Sequence, residues 1–392
     1  MCMNIVYCTD IVYELSGVDV TTITKANALA EIPGNRVWIV VSGNPKSLMH
    51  RLKKVSVIEV NVQYYTRDGN GPLAALWDIY RKRKIHKRKL ESLLENVNPD
   101  VVIASGVLMK YFLPSLKLPS RPVFIRELHS NRDYSIQAAV SWKKKMIPWI
   151  GYIYDYYWKI REYDIIVVLT ENEKCGWWKY WKKVVVIPNP ITHWCGRVSD
   201  GKAKVAITGG RLAQMKNFSG LINIWAKVCQ CHPEWILQIW GVGEKRDELE
   251  HQIKEMGLSE KVVLMGYTDE MGVEMSKASL FVFASLSESF SLVTLEAMSV
   301  GIPSVVYNCP GGIHYVVKDG VTGFLVPLND EHTFVERVCA LIENAELRKT
   351  MGQAALSESE QYSIDKIAQR WMNLFQELLA KKRNKQIRNN YG

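Results

Sequence analysis

Two glutamates in the second half of the chain stand where a helix of the protein core would not need them. Glu288 precedes the stretch SFSLVTLEAMSVGIPSVV, which is otherwise typical of a buried helix and strand, and Glu296 lies inside it. A buried carboxylate is costly unless something pairs with it. We therefore expect that face of the helix to border either solvent or a cleft in which a polar ligand binds.

Two basic residues lie on a turn that can reach the same place. The segment GRLAQMKN, residues 210–217, follows the apolar run KVAITG, so Arg211 and Lys216 come directly after a predicted strand. Ser289 or Ser291 is a suitable N-cap for the helix that contains the second glutamate. Two cations beside a helix N-terminus with free N–H groups can bind a pyrophosphate group. Taken alone, the two cations are equally typical of a solvated turn.

The two carboxylates then fit two sugars, one on each side of a diphosphate. Glu296 lies about two turns into the predicted helix and can accept hydrogen bonds from the vicinal hydroxyls of a ribose. Glu288 lies on the loop before it, nearer the centre of the cleft. Gly241 and Gly243 follow the run WILQIW and let a ligand approach the backbone. Their turn lacks the full Gly-x-Gly-x-x-Gly spacing and is a weak motif alone. Tyr267 follows a further predicted strand, VVLMG.

The elements that position these residues form two alternating series of strands and helices. The runs NIVYC, VWIVVS, DVVIAS and DIIVVL are short, β-branched and apolar, as expected for strands buried on both faces of a parallel sheet. The alternation predicts doubly wound α/β domains. It pauses at residues 184–204, where prolines and polar residues interrupt it. We predict a domain at 1–189, joined by a C-terminal helix at about 366–392, and a second domain at 190–365.

Composition narrows the class of protein. The chain has 392 residues, 47% of them hydrophobic, a formal net charge of +10 and eight scattered cysteines without metal-ligand spacing. The positive charge suggests an anionic partner. The first residues read as a strand and not as a signal peptide, and no run of about 18 apolar residues occurs. We expect a cytoplasmic protein that can also attach to the inner face of the cell membrane.

Four segments, taken in order, resemble one family. They are GRLAQMKN, IWGVGEKRDELEHQIKEMGLSEKVVLMGY, ESFSLVTLEAMSVGIPSVV and GGIHYVVKDGVTGFLV. They are similar to the nucleotide-binding domain of GT-B-fold retaining glycosyltransferases, in particular glycosyltransferase family 4, the glycosyl transferases group 1. The resemblance implies two Rossmann-like domains that face a central cleft, with C-terminal helices packing back toward the first domain. It covers roughly 115 residues, and four ordered motifs are far more specific than one Glu-x7-Glu pair.

The resemblance also implies roles for individual residues. Arg211 and Lys216 would bind the donor diphosphate, Glu288 the donor sugar and Glu296 the ribose. Backbone amides of Phe290, Ser291 and Leu292 would reach the distal phosphate. Ser291 stands where family members often have glycine. The turn residues that would complete the donor site are Gly210, Gly241, Gly243 and Tyr267.

The first half resembles the family more weakly. In LSGVDVTTITKANALAE, Gly17 and Val18 correspond to a loop near the acceptor, although the family often has two glycines where this chain has Ser16 and Gly17. His129 follows the strand in FIRELHS, at the position of a family histidine near the reacting centre. A lone histidine is more often structural. The resemblance favours a catalytic role for His129 together with Glu288.

The implied reaction moves a sugar from a nucleotide-sugar to a hydroxyl of a glycan or lipid-linked acceptor, with retention at the anomeric carbon. Cations and a helix dipole would stabilise the leaving diphosphate, so we expect no metal ion and no cofactor. A double displacement needs a second carboxylate as the nucleophile, and the sequence offers no convincing candidate. This favours front-face attack by the acceptor hydroxyl. Uridine is the expected base from family frequency. The alternatives are a nucleotide-sugar epimerase or phosphorylase with the same fold, and a non-catalytic glycan-binding or membrane-binding protein.

Two basic and aromatic segments of the first half point to an acceptor at a membrane. Arg81–Lys89 has seven Lys or Arg in nine positions, and Trp142–Trp158 mixes lysines with tryptophans and tyrosines. Such a combination suits an anionic lipid surface. The alternative is a solvated helix face next to a core helix with bulky packing. Nucleic acid is the rival partner, but no nucleic-acid-binding module is visible.

Overall fold

The computed structural model describes residues 2–9, 17–42, 51–60, 62, 72–105, 113–129 and 158–391, without the side chains of 72–76, 79 and 389–391. Ser16 and the aromatic residues of 142–157 lie outside the described residues, and of the second aromatic segment only Trp158 is described.

Strands and helices alternate along the chain in two series. The first series has β1 (Met3–Thr9), α1 (Gly17–Glu31), β2 (Asn35–Val41), β3 (Val55–Glu59), α2 (Pro72–Val97), β4 (Val101–Ala104), β5 (Val123–Glu127), β6 (Ile165–Val168), α3 (Glu171–Gly176) and β7 (Val184–Val186). The second has β8 (Val205–Gly209), α4 (Phe218–Cys231), β9 (Ile236–Trp240), α5 (Arg246–Glu255), β10 (Val262–Gly266), α6 (Met271–Ser276), β11 (Leu280–Phe283), α7 (Leu292–Ser299), β12 (Ser304–Tyr307), α8 (Ile313–Val316), β13 (Gly323–Val326), α9 (Glu331–Glu343) and α10 (Ala345–Ser359). A last helix, α11, spans Ile364–Tyr391.

The first compact unit comprises Met1–Pro190 and Ile364–Gly392. Its seven described strands are all parallel, in the order β3-β2-β1-β4-β5-β6-β7. Successive side chains of β1 point to opposite faces, as the pleat of a strand requires. Ile5 and Tyr7 pack with α1 and α11, whereas Val6 and Cys8 pack with α2. Helices therefore cover both faces of this sheet, which is the doubly wound arrangement that the apolar runs predict.

Helix α11 belongs to the first unit although it ends the chain. Trp371, Phe375 and Leu379 enter the core beside Ile23 of α1. The helix continues to Tyr391, so the basic sequence KKRNKQIR is helical. Among the described residues, no helix has both the length and the apolar composition needed to cross a membrane.

The second compact unit is Ile191–Ser363. Its six described strands are parallel, in the order β10-β9-β8-β11-β12-β13. Trp225 of α4 and Phe334 of α9 fill a core over Leu237, Val282 and Val305 of the strands. Helix α7 packs against β11, β12 and α10. In a parallel sheet the turns that follow the strands all lie at one edge. The edge after β8, β9, β10, β11 and β12 carries the predicted site.

Candidate functional site

The turn after β8 is held in place by the turns that follow β9 and β11. Gly210 donates its backbone N–H to Trp240 O at 2.9 Å, and Leu286 donates to Met215 O at 2.9 Å. Asn217 closes the turn in the left-handed region, with φ 53°. The structure thus fixes the backbone that precedes Lys216 with bonds to the turns after two neighbouring strands.

Lys216 contacts Glu288 directly. The Nζ atom of Lys216 lies 2.6 Å from Oε1 of Glu288, and the two side chains are 27% and 8% exposed. The same nitrogen lies 5.3 Å from the centre of the Phe283 ring. The sequence assigns these residues to neighbouring parts of one ligand, but nothing in it predicts that they pair with each other. The partly open lysine leaves room for an anion to share it.

The backbone at Glu288 is held by the segment after β12. Glu288 donates its N–H to Pro310 O at 3.1 Å and accepts from Gly312 N–H at 2.7 Å. A side chain on Gly311 would place its Cβ only 1.8 Å from Glu288 O, and φ of Gly311 is +117°. Gly311, the first glycine of GGIHYVV, is therefore required for the position of Glu288.

Arg211 lies on the same turn as Lys216 but is far more open. Its side chain is 68% exposed, and its Nη2 lies 3.3 Å from Oε2 of Glu244, which follows β9. An exposed pair of this kind holds its partners weakly. Arg211 is consequently free to move to an anionic ligand at this edge.

Gly241 and Gly243 owe their identity to packing between two turns. A Cβ on Gly241 would lie 1.9 Å from Gly210 O, and one on Gly243 would lie 2.5 Å from Leu212 O. From the sequence, we expect these glycines to let a ligand approach the backbone. The structure supplies another cause, because the turns after β8 and β9 contact each other here. Tyr267, after β10, is exposed and donates its hydroxyl to Asp269 at 2.7 Å.

The start of α7 offers backbone donors. No described residue accepts a hydrogen bond from the backbone N–H groups of Phe290, Ser291 or Leu292. Ser291 occupies the N-cap position in the left-handed region, with φ 59°. Its hydroxyl pairs with Thr294 Oγ1 at 2.7 Å and makes no cap bond to the backbone, contrary to the usual N-cap pattern. Phe290 is buried edge-on against Tyr362.

Glu296 has partners that the sequence did not reveal. Its Oε1 accepts a hydrogen bond from Thr192 Oγ1 and lies 2.7 Å from Nδ1 of His193. The Glu296 side chain is buried, whereas His193 is partly exposed. Thr192 and His193 belong to the proline-rich stretch 184–204, whose sequence indicates only a domain boundary. More than a hundred residues separate them from Glu296, so no local pattern links them.

In the first unit, His129 belongs to a buried ionic cluster. Its Nε2 lies 3.3 Å from Oε2 of Glu127, the last residue of β5, but without hydrogen-bond geometry. The other carboxylate oxygen pairs with Nζ of Lys25 from α1. Burial alone raises the pKa of Glu127, but Lys25 and His129 outweigh it and hold this pKa at about 2. Neither ring nitrogen of His129 has a hydrogen-bond partner among the described residues.

Gly17 and Val18, which are predicted to lie near the acceptor, are the first two residues of α1. Gly17 is exposed and Val18 half-buried. The carbonyl of Val18 accepts hydrogen bonds from the hydroxyls of Thr21 and Thr22, at 2.9 and 2.8 Å. His129 and Glu288, both predicted to be catalytic, lie in different compact units.

The basic run Arg81–Lys89 lies on α2, where part of its charge is used within the protein. Lys82 is buried and its Nζ lies 2.7 Å from Asp78. His86 is buried, and burial lowers its pKa to about 4. Lys84 and Arg88 are exposed. The run is thus a one-sided basic face and not a uniformly solvated cluster.

Comparison with known proteins shows what the second unit is similar to. Residues 197–358 match the family model for glycosyl transferases group 1. An uncharacterized glycosyltransferase of Haemophilus influenzae is 26% identical over 373 residues, which are 91% of this chain and 96% of that protein.

A second relative is the N-acetylgalactosamine-N,N'-diacetylbacillosaminyl-diphospho-undecaprenol 4-alpha-N-acetylgalactosaminyltransferase of Campylobacter jejuni. It is 31% identical over 167 residues, or 43% of this chain, and the chain covers 45% of that enzyme. Among solved structures, TarM of S. aureus in complex with UDP and alpha-GlcNAc-glycerol has a TM-score of 0.73 at 14% identity, covering 95% of this chain and 99% of TarM. At that identity the likeness shows the fold, a GT-B arrangement of two Rossmann-like domains, and confirms the predicted fold class.

Proposed function

We propose that this chain, whose residues 197–358 match the family model for glycosyl transferases group 1, is a retaining glycosyltransferase. It transfers a sugar from a nucleotide-sugar, with UDP as the expected nucleotide, to a hydroxyl of a glycan or lipid-linked acceptor of bacterial surface polysaccharide. The observation that carries the proposal is the Lys216–Glu288 contact of 2.6 Å beside the unbonded N–H groups at the start of α7. It places a cation, a carboxylate and backbone donors together at one strand edge.

The diphosphate is the leaving group, and its developing negative charge needs stabilisation. Lys216, Arg211 and the N-terminus of α7 supply positive charge and N–H donors in this part of the second unit. Fixed donors of this kind usually provide the largest catalytic contribution in such reactions. This chemistry uses neither a metal ion nor a cofactor.

The two glutamates have separate tasks in this scheme. Glu288 faces the donor sugar and holds Lys216 toward the phosphate until the donor arrives. Glu296 accepts from the ribose hydroxyls through Oε2, because Thr192 and His193 both contact Oε1. Both contacts fix the carboxylate before a nucleotide binds.

The acceptor hydroxyl attacks the anomeric carbon on the face that the diphosphate leaves, and the departing phosphate oxygen takes the proton. His129 of the first unit is the proposed polar contact for the reacting sugar, and the carboxylate of Glu127 lies 3.3 Å from its Nε2. The relative from Campylobacter jejuni carries a lipid diphosphate in its name, which supports a lipid-linked acceptor. The exposed basic side chains of α2 would then face anionic lipid headgroups at the cytoplasmic side of the membrane.

A thermal-shift screen of UDP, GDP, ADP and their sugars tests the donor. A ligand at 100 times its Kd stabilises the folded state by about 2.7 kcal/mol, so UDP should raise the melting temperature of the wild type clearly. Proton NMR of the transfer product should then show the anomeric configuration of the donor. Inversion would exclude the retaining mechanism. Stabilisation by GDP alone or by ADP alone would show that the donor carries guanosine or adenosine in place of uridine.

Two further outcomes would replace the proposed reaction. Formation of an epimer, or of a sugar phosphate when inorganic phosphate is added, would favour the epimerase or phosphorylase. A protein that binds none of the nucleotides would be a glycan-binding or membrane-binding protein instead.

A further inference from the structure

We propose that residues 174–183 of the first unit form a docking surface for an anionic lipid bilayer. This segment, KCGWWKYWKK, has four lysines, three tryptophans and one tyrosine in ten residues and no acidic residue. It begins in the last turn of α3 and runs to β7, the edge strand of the first sheet. It lies outside Arg81–Lys89 and Trp142–Trp158, the two segments whose sequences predict a membrane contact.

The fold sorts the side chains of this segment into three stripes. Trp178–Lys183 is a 3₁₀ helix with a kink at Tyr180, and residues three apart in such a helix share a face. Trp177 is buried in a small core with Ile160 and Val184, and Tyr180 packs at the edge of that core. Lys183 continues this inner stripe by donating to the carbonyl oxygens of Arg161 and Tyr163.

The outer two stripes carry tryptophan and lysine. Trp178 is 74% and Trp181 47% exposed, although tryptophan is among the side chains that gain most from burial. Lys179 and Lys182 form the adjacent exposed stripe. Lys174 lies over the ring of Trp181, with Nζ 4.4 Å from the ring centre, and the same atom lies 3.8 Å from Oε2 of Glu171 at the edge of the segment. The outer face therefore presents rings and ammonium groups side by side.

This pairing favours a lipid surface over a protein partner. Lysine is depleted in protein–protein interfaces, whereas tryptophan and lysine together are typical of the boundary between headgroups and acyl chains. Lysine stems extend along an apolar surface while the ammonium group reaches the phosphates. The inner stripe holds the 3₁₀ helix to the core of the first unit, so the outer rings are presented without a folding step.

The inference extends the lipid-linked acceptor of the proposed function but does not depend on it, since binding to vesicles needs neither donor nor acceptor. The test is co-sedimentation of the full chain with vesicles of phosphatidylcholine alone, or of phosphatidylcholine and phosphatidylglycerol in equal parts, at low and high salt. We expect binding to the anionic vesicles at low salt, weakened but retained at high salt because the rings remain.

Paired variants assign the surface. Trp178→Ser with Trp181→Ser should lower the partition coefficient at least about tenfold at both salt concentrations. Lys179→Gln with Lys182→Gln should lower it about tenfold at low salt only. Trp194→Ser, at an exposed tryptophan of the second unit, is the matched control and should bind as the wild type does. UDP-induced stabilisation and the melting temperature should be unchanged in all of them.

Four results would overturn the inference. They are a wild type that ignores anionic vesicles, a tryptophan double variant that binds like the wild type, an equal loss in the Trp194→Ser control, and binding of single-stranded nucleic acid in place of vesicles. A loss confined to Lys84→Gln with Arg88→Gln would move the membrane contact to α2. UDP binding that fails while vesicle binding persists would reject the proposed reaction and leave this surface intact.

Discussion

Each compact unit holds a lysine and a glutamate in direct contact, and the two pairs differ in their access to solvent. Lys25 and Glu127 of the first unit are each 1% exposed, whereas Lys216 and Glu288 of the second are 27% and 8% exposed. A charge buried as deeply as Lys25 has lost its hydration and depends on its partner. Burial lowers the pKa of Lys25, and Glu127 opposes that change. A half-open lysine keeps part of its hydration and can accept a second anion.

Burial separates a lysine–glutamate pair that is closed to ligands from one whose lysine can also contact an anion. The closed pair joins α1 to the end of β5 and lies beside Trp371 of α11, with Nζ of Lys25 5.4 Å from the ring centre. The open pair joins the turns after β8 and β11, at the edge where the donor is proposed to bind. The same two residue types thus form a closed contact in one unit and, as we propose, a binding site in the other.

The largest expected effect comes from breaking the closed pair. Glu127→Gln or Lys25→Met leaves one buried charge without its partner and should lower the free energy of unfolding by about 3–5 kcal/mol. The double variant Lys25→Met with Glu127→Leu should regain most of that loss, because no lone charge remains. Denaturant unfolding measures both. Lys54→Met is the matched control, since its exposed pair with Glu31 should change stability by less than about 1 kcal/mol.

The pH dependence of the closed pair gives the next largest effect. Glu127 has a folded pKa of about 2, below its unfolded value, so its ionised form stabilises the fold above about pH 4.5. That contribution, roughly 3 kcal/mol, is lost as pH falls from the unfolded pKa through the folded one. The difference in the free energy of unfolding between the wild type and Glu127→Gln should therefore become smaller as the pH falls from about 5 to about 2, the range set by the two pKa values. A constant gap over this range would show that the pair carries no charge.

Breaking the open pair should affect ligand binding far more than stability. Charge-assisted hydrogen bonds contribute about 1.5–3 kcal/mol each, so Lys216→Ala should weaken UDP binding about tenfold or more. Isothermal calorimetry gives the affinity, and the unfolding midpoint should move little. Lys202→Ala, at a lysine exposed before β8, is the control and should bind UDP normally. An unchanged affinity in folded Lys216→Ala would remove the diphosphate role from this lysine.

The smallest expected effects on UDP affinity distinguish the two glutamates of the second unit. Glu288→Gln releases Lys216 from its partner, so UDP affinity should stay equal or rise slightly while transfer falls strongly. Glu296→Gln should lower UDP affinity by a factor of about three to ten, the value of one modest hydrogen bond. Calorimetry and a transfer assay on both variants decide the matter. Equal losses of UDP affinity in the two would contradict the separate tasks.

The sequence predicts the sheets of both units well, because strands buried on both faces leave continuous apolar runs. It also places Arg211, Lys216 and Glu288 after strands, and parallel strands bring such positions to one edge. It cannot predict the contacts between them. Lys216 and Glu288 are 72 residues apart, and Lys25 and Glu127 are 102 apart. A helix with one lysine gives no sign that this lysine is buried.

The missed partners of Glu296 have the same cause. Thr192 and His193 stand in a stretch without periodicity, and only the folded chain brings them to the helix. The sequence likewise cannot show that Gly241 and Gly243 are needed for packing, because the atoms that a side chain would strike there, Gly210 O and Leu212 O, lie on another turn. Ser291 stands where the family often has glycine, and its left-handed backbone explains that preference.

The return of α11 to the first unit has a consequence for building hybrid enzymes. The second unit is inserted into the first, so a graft that changes donor preference needs two junctions, near Pro190 and near Ser363. A hybrid joined only at the first junction would receive the last helix of another protein. Trp371 and Phe375 would then be replaced in the core that holds Lys25. Such a hybrid would fail by unfolding its first unit, and an activity screen would mistake this for a fault of the grafted second unit.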